Sequence, residues 1–284
     1  MSTTLEPQAK AVVVNGLRLR YLEWGDRDAY AVVCVHGYTS SAESFNALAR
    51  HLQHRFRFLA LDVRGHGESA WSPDGAYTYA DQASDVAIFV DALRLDRFAL
   101  IGTSMGGIIA MAYAAMHPGK LAALVLNDIG PDVESGSQRI TNTVGARPEK
   151  FATLEEAMAW RRQMSPVTAS RPLDDQRELA LGVLRREGDA WVWKMDPAYI
   201  TQRVKQGPPR RPDAWPVLGK LRCPTLVVWG TASDVLSETQ ARTMVQVLPR
   251  GELVVAPGVA HAPTLVEPLV LTAIDRLLGE TARR

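Results

Sequence analysis

Ser104 sits between Gly102 and Gly106 in the run Phe98-Ala-Leu-Ile-Gly-Thr-Ser-Met-Gly-Gly, where an apolar strand-like segment passes directly into a helical one. A serine so placed can be a nucleophile, because a sharp strand-to-helix turn lifts its hydroxyl clear of the backbone. Small residues are needed on both flanks of such a turn, where a side chain would collide with the neighbouring strand or helix. The plainer reading of a glycine-flanked serine is a turn residue, and the strand-turn-helix context favours the nucleophile. A serine hydroxyl is a weak nucleophile at neutral pH, so it needs a base within hydrogen-bond reach and a third group to hold that base. The segment Asp62-Val-Arg-Gly-His-Gly-Glu-Ser69 also carries groups of chemical interest. Here turn formation accounts for the glycines and local pairing for Asp62 and Arg64.

The elements that must position Ser104 can be read from hydrophobic period. Two segments, AVVV and LRLRYLEW, flank Asn15-Gly16 and predict an antiparallel hairpin at a sheet edge. Short apolar runs at 31–35, 56–61 and 98–101 read as strands buried on both faces, with helices near 43–52 and 79–93 between them. A helix over 105–116 and a strand over 121–127 follow. Alternation is then lost from about 129 to 218, where prolines, arginines and tryptophans are scattered through weakly amphipathic stretches. Strands resume at 225–229 and 252–256, and a helix over 265–278 closes the pattern. Such strand-helix alternation predicts an α/β fold with a largely parallel sheet.

The glycine-flanked Ser104 and its setting resemble the nucleophile elbow of the α/β-hydrolase family, and the resemblance covers nearly the whole chain outside 129–218. It implies a mostly parallel eight-stranded sheet flanked by helices, and the stretch 129–218 reads as a helical cap inserted after a strand. The expected division is a core over 1–130, a cap over 131–218 and a second part of the core over 219–284. The resemblance also implies the chain order serine, acid, histidine. Of the histidines after Ser104, His117 lies at the far end of the helix that Ser104 begins, which leaves His261 as the base. Two acids fit: Asp234, after the strand 225–229, is preferred, and Asp128, after the strand 121–127, is the alternative. The oxyanion hole carries over to the backbone N–H groups of Tyr38 and Met105, both main-chain contributions that leave the side chains free to vary. The Tyr38 ring is open to two readings, a wall of the acyl pocket or an exposed loop side chain. His36 is read as a brace for the oxyanion loop.

Composition narrows the function classes. Lys and Arg number 32 against 31 Asp and Glu, so no global positive field is available for nucleic acid or an anionic membrane. Cys34 and Cys223 lie beside apolar runs, which speaks against a disulfide framework. The amino-terminal segment MSTTLEPQAK has no basic head followed by an apolar stretch, and a cytoplasmic protein is expected. Neither phosphate-loop nor dinucleotide patterns occur in the required context, and no cofactor or metal is expected. A serine also argues against the haloalkane dehalogenases and epoxide hydrolases of this fold, which use an aspartate. The expected activity is hydrolysis of a small carboxylic ester or lactone through an acyl-serine. Carbon-carbon (ring-cleavage product) or amide hydrolysis with the same triad is the alternative, and a non-catalytic ligand receptor is the least favoured. Charges of both signs are mixed through 129–218 without a cluster, which points to no charged substrate. Trp160, Trp191 and Trp193 read as core of the cap.

Overall fold

The structure, a computed structural model, describes residues 6–132, 136–207, 209 and 213–283; residues 1–5, half of the amino-terminal segment considered above, lie outside them. The main sheet is built from β1 (Gln8–Val14), β2 (Leu17–Trp24), β3 (Tyr30–Val35), β4 (Phe56–Leu61), β5 (Phe98–Thr103), β6 (Leu121–Asn127), and two later strands, Thr225–Gly230 and Gly251–Ala256. Three short strands between them, β7 (Lys150–Phe151), β8 (Leu184–Glu187) and β9 (Ala190–Trp193), make the later pair β10 and β11. The eight-stranded order is β1-β2-β4-β3-β5-β6-β10-β11. The β1-β2 and β2-β4 pairs are antiparallel, and all the others in the sheet are parallel.

The central strands are apolar throughout because both of their faces are covered. Along β3, Val33 and Val35 enter one core while Val32 and Cys34 enter the other. Strand β5 does the same with Phe98 and Leu100 against Ala99 and Ile101. On the first face lie α2 (Tyr79–Ala92) and α3 (Met105–Met116), and on the second α1 (Asn46–Leu52) and the closing helix Pro268–Ala282. Helix α2 starts at a capping box in which Thr78 and Asp81 exchange hydrogen bonds. Cys34 and Cys223 are both buried free thiols.

Between β6 and β10 the chain forms α4 (Gly136–Gly145), α5 (Leu154–Met164), α6 (Pro166–Ala169), α7 (Leu173–Val183), α8 (Pro197–Gln206) and α9 (Trp215–Leu218). This insertion is not wholly helical, which corrects the sequence expectation. A β7-β9-β8 antiparallel sheet lies within it, around Phe151, Leu184 and Trp193 in a separate small core. Strands of two to four residues carry too little alternation to be read from period. The last two helices are α10 (Glu238–Val247) and α11, the Pro268–Ala282 helix, which begins three residues later than the sequence suggested because Pro268 occupies its first turn. Among the described residues no helix is long and apolar enough to cross a membrane.

Candidate active site

The parallel strands β3, β5, β6, β10 and β11 place their carboxyl ends on one edge, and each of the candidate groups sits in a loop that leaves that edge. Ser104 occupies the turn from β5 to α3 with φ 53° and ψ −117°, in the sparsely populated region expected of a strained elbow. Its hydroxyl makes no cap bond to α3. Instead Ser104 Oγ lies 2.8 Å from His261 Nε2. A Cβ on Gly102 would come within 2.4 Å of the Gly106 carbonyl oxygen, and one on Gly106 within 2.0 Å of the Val35 carbonyl oxygen. Both contacts are with backbone, which cannot move aside.

His261 Nδ1 lies 2.7 Å from Asp128 Oδ2, so the acid that meets the imidazole is Asp128 and not Asp234. Asp128 directly follows β6, with φ 55°, and its side chain is fully buried. Its backbone N–H donates to Val228 O at 2.9 Å, and its Oδ1 accepts the Gly230 N–H at 3.2 Å. These bonds fix the carboxylate between β6 and β10, facing the loop after β11. Because a carboxylate can only accept, Nδ1 carries the proton and Nε2 presents its lone pair to the Ser104 hydroxyl. The preferred Asp234 is engaged elsewhere: it is four residues beyond the end of β10, and both of its oxygens accept from Arg139 on α4, at 2.5 and 2.8 Å. The Arg139 guanidinium holds the Asp234 carboxyl below the usual carboxylate range.

Asn127, one residue before Asp128, fastens the histidine loop. Its Nδ2 donates to Pro263 O at 2.9 Å and to Thr103 Oγ1 at 3.1 Å. On the other side of Ser104, a Cβ on Gly37 would lie 3.4 Å from the Ser104 Cβ, which puts the Gly37-Tyr38 turn beside the nucleophile. His36 braces that turn as anticipated: its Nδ1 donates to Gly37 O at 2.8 Å, and its Nε2 accepts the Val63 N–H at 3.2 Å. Burial pushes the His36 imidazole below its ordinary pKa, and the neighbouring His66 further still, so both are neutral braces. Tyr38 is buried and lines the cavity, which settles the open choice for its ring; the Arg203 guanidinium carbon lies 4.5 Å from the ring centroid. Met105 begins α3, with its backbone N–H at the positive end of the helix dipole.

The Asp62–Ser69 segment has the structural role expected of it, with different partners. Asp62 is bound by Arg20 and by the backbone N–H groups of Ala42 and Glu68, while Arg64 forms a double hydrogen bond with Asp85. The pairing is long-range instead of local. Gly67, at φ 52°, lets the chain close over the Asp62 carboxylate, which a Cβ would meet at 2.2 Å.

Ser104 and His261 line a cavity of about 550 Å³ whose other walls come from the insertion. Trp160 and Trp193 belong both to this wall and to the small core, whereas Trp191 packs on that core alone. The side chains that the sequence did not single out are arginines. Arg139, Arg147, Arg161 and Arg171 all line the cavity, against one carboxylate, Asp234, which Arg139 already binds. They are spread over 33 positions (139 to 171) and share no periodicity, so only the folded insertion brings them together. Arg162, adjacent to Arg161, is exposed. Among the described residues no group of three His, Cys, Asp or Glu side chains is arranged to hold a metal ion.

This sheet topology, with a strained elbow serine facing a histidine on the carboxyl edge, is that of a hydrolase fold, and the comparisons agree. The family model described as alpha/beta hydrolase fold matches residues 30–268. The chain belongs to the α/β-hydrolase family. It is 31% identical over 265 residues to a 3-hydroxybutyrate-oligomer hydrolase of Cupriavidus necator, covering 88% of this chain and 89% of that protein. Among solved structures it is similar to an alpha/beta hydrolase from Novosphingobium aromaticivorans, with TM-score 0.86, 32% identity, and coverage of 96% of this chain and 98% of that one. An E-2-(acetamidomethylene)succinate hydrolase also aligns with TM-score 0.86, at 25% identity, over 96% of this chain and 100% of that one.

Proposed function

We propose that this protein is a serine hydrolase that cleaves a small carboxylic ester through an acyl-serine, with Ser104 as nucleophile, His261 as base and Asp128 as the orienting acid. The observation that carries the reading is the continuous line from Ser104 Oγ to His261 Nε2 at 2.8 Å and from His261 Nδ1 to Asp128 Oδ2 at 2.7 Å, opening on the cavity. His261 takes the Ser104 proton as Oγ bonds to the ester carbon, then gives it to the departing alkoxide as the carbon-oxygen bond breaks. Water, deprotonated by the same imidazole, then attacks the acyl-serine and restores the serine. Asp128 keeps the tautomer and stabilises the imidazolium. The backbone N–H groups of Met105 and Tyr38 would hold the oxyanion, since they flank the nucleophile at a helix start and a braced turn.

Esters are favoured over carbon-carbon and amide bonds by the simplicity of what they require. A readily departing alkoxide needs only nucleophile, base and oxyanion hole. Relatives named as a 3-hydroxybutyrate-oligomer hydrolase and as lipases support the same bond type. A lactone uses the same groups and belongs to the same reading. The test is a fluorophosphonate probe followed by peptide mapping: Ser104 should carry the adduct, and Ser104→Ala should abolish both labelling and p-nitrophenyl ester turnover. Adduct on another serine in the native protein would refute the assignment.

A further inference from the structure

Arg161 and Arg171 face the cavity without a partner. Among the described residues neither guanidinium makes a hydrogen bond or an ion pair, and Arg161 Nε is buried with no acceptor in reach. Burial, and then the neighbouring Arg171 charge, push the Arg161 guanidinium down to about 10, and burial lowers Arg171 despite Asp175 and Glu267 nearby. Glu267 accepts the Thr264 N–H and hydroxyl through Oε1 and keeps Oε2 buried without a hydrogen bond, yet it forms no ion pair with Arg171 among the described residues. Arg147 adds a third cation on the same wall, held 4.7 Å above the Trp193 ring.

A half-buried guanidinium with no direct ion-pair partner costs stability, and a second one beside it adds to that cost. Such a pair persists in a fold when something outside the chain supplies the negative charge during function. The planar, five-donor guanidinium matches a carboxylate in two-point fashion, and Trp160, Met164 and Val144 add apolar surface to the same cavity. We propose that the substrate carries a free carboxylate, which Arg161 and Arg171 clamp while the scissile ester carbonyl rests at Ser104. This deepens the ester-hydrolase reading above and rests on it for the position of the reacting bond. The clamp sets a chemical class: monoesters of dicarboxylic acids, or esters of hydroxy acids with a free acid end.

The experiment compares p-nitrophenyl hemiglutarate with its methyl-capped neutral counterpart on the wild type, Arg161→Gln and Arg171→Gln. The wild type should prefer the carboxylate ester in kcat/KM by about tenfold to a hundredfold, the range of one or two charge-assisted hydrogen bonds. In each variant that ratio should fall towards one, with the loss mainly in KM. In parallel, tryptophan fluorescence of Ser104→Ala, read through Trp160 and Trp193, should saturate with monomethyl glutarate at lower concentration than with dimethyl glutarate. A wild-type ratio at or below one, or a ratio unchanged in both variants, overturns the proposal. The binding arm separates the two readings. Carboxylate-selective binding with no ester turned over would reject the hydrolase reading and leave the clamp standing, whereas turnover of both esters at equal efficiency would do the reverse.

Discussion

The carboxylate of Asp128 touches His261 Nδ1 with one oxygen, at 2.7 Å, and the backbone N–H of Gly230 with the other, at 3.2 Å. One side chain therefore ties the end of β6 to the end of β10 and to the loop after β11. The orientation of the imidazole follows from the sheet itself, because β6 and β10 are in register up to Asn127 and Val228. Asp234, on a longer excursion beyond β10, is bound to the insertion through Arg139 and cannot serve the histidine without breaking that pair.

Asp128→Asn should lower kcat for a p-nitrophenyl ester by roughly 10³ to 10⁴ with little effect on the fold, since an amide at this position favours the wrong tautomer. Asp234→Asn should change kcat by less than about tenfold, because its carboxylate acts on Arg139. Kinetics of the two variants side by side decide the matter. Greater damage from Asp234→Asn would return the acid to the loop after β10.

The Asp234–Arg139 pair is a stability matter with a definite pH sign. The Asp234 pKa is depressed by Arg139, so the pair's contribution is present above the unfolded aspartate pKa of about 4 and is lost as pH falls through the folded value. The side chains are 47% and 39% exposed, and solvent screening limits the contribution to about 1 kcal/mol or less. Urea melts should show Asp234→Asn slightly less stable than wild type at pH 6 to 7, with the gap closing below about pH 4. A gap that widened in acid would contradict this sign.

How much of this was legible in the sequence depended on the length scale of the signal. The main-sheet strands, the elbow at Ser104 and the loop at His261 announce themselves through local features: apolar runs, flanking glycines and position in the strand-helix alternation. The choice between Asp128 and Asp234 could not be made that way, because both follow adjacent parallel strands and the difference lies in a positive φ at Asp128 and in Arg139 reaching Asp234 from 95 positions away. The arginine wall was likewise hidden. Arg161 and Arg162 are neighbours in the chain, yet one lines the cavity and the other is exposed, a distinction created only by packing of α5.

Gly106→Ala should be severe and Gly119→Ala mild. A Cβ at Gly106 would stand 2.0 Å from Val35 O and 2.8 Å from His36 O, backbone atoms at and just past the end of β3, whereas nothing lies within 4 Å of one at Gly119. Forcing α3 away from β3 should destabilise the protein by about 3 kcal/mol or more, beyond the common range for overpacking because neither side can yield. Denaturant midpoints report the difference, and equal midpoints for the two variants would refute the close approach.

Asn127 lies between the two halves of the site. Its carbonyl accepts the Ser104 N–H at 3.0 Å, while its Nδ2 donates to Pro263 O two residues beyond His261. The side chain is fully buried, so Asn127→Ala would leave the Pro263 carbonyl without its donor, at a cost of about 1 to 3 kcal/mol in stability. The more telling effect is kinetic. A loosened loop lets the imidazole drift from the 2.8 Å contact with Ser104, and misplacement of that order lowers the chemical step by up to about 10²-fold. The loss should fall on kcat, with KM little changed, because Asn127 is not among the cavity-lining residues. Asn127→Asp keeps the shape but sets an acceptor against the Pro263 carbonyl, and should be more damaging than the alanine. The rate of fluorophosphonate labelling should fall in parallel with kcat in both variants, since it draws on the same Ser104–His261 contact. Full kcat and an undiminished labelling rate in Asn127→Ala would show that the histidine loop is held by other contacts.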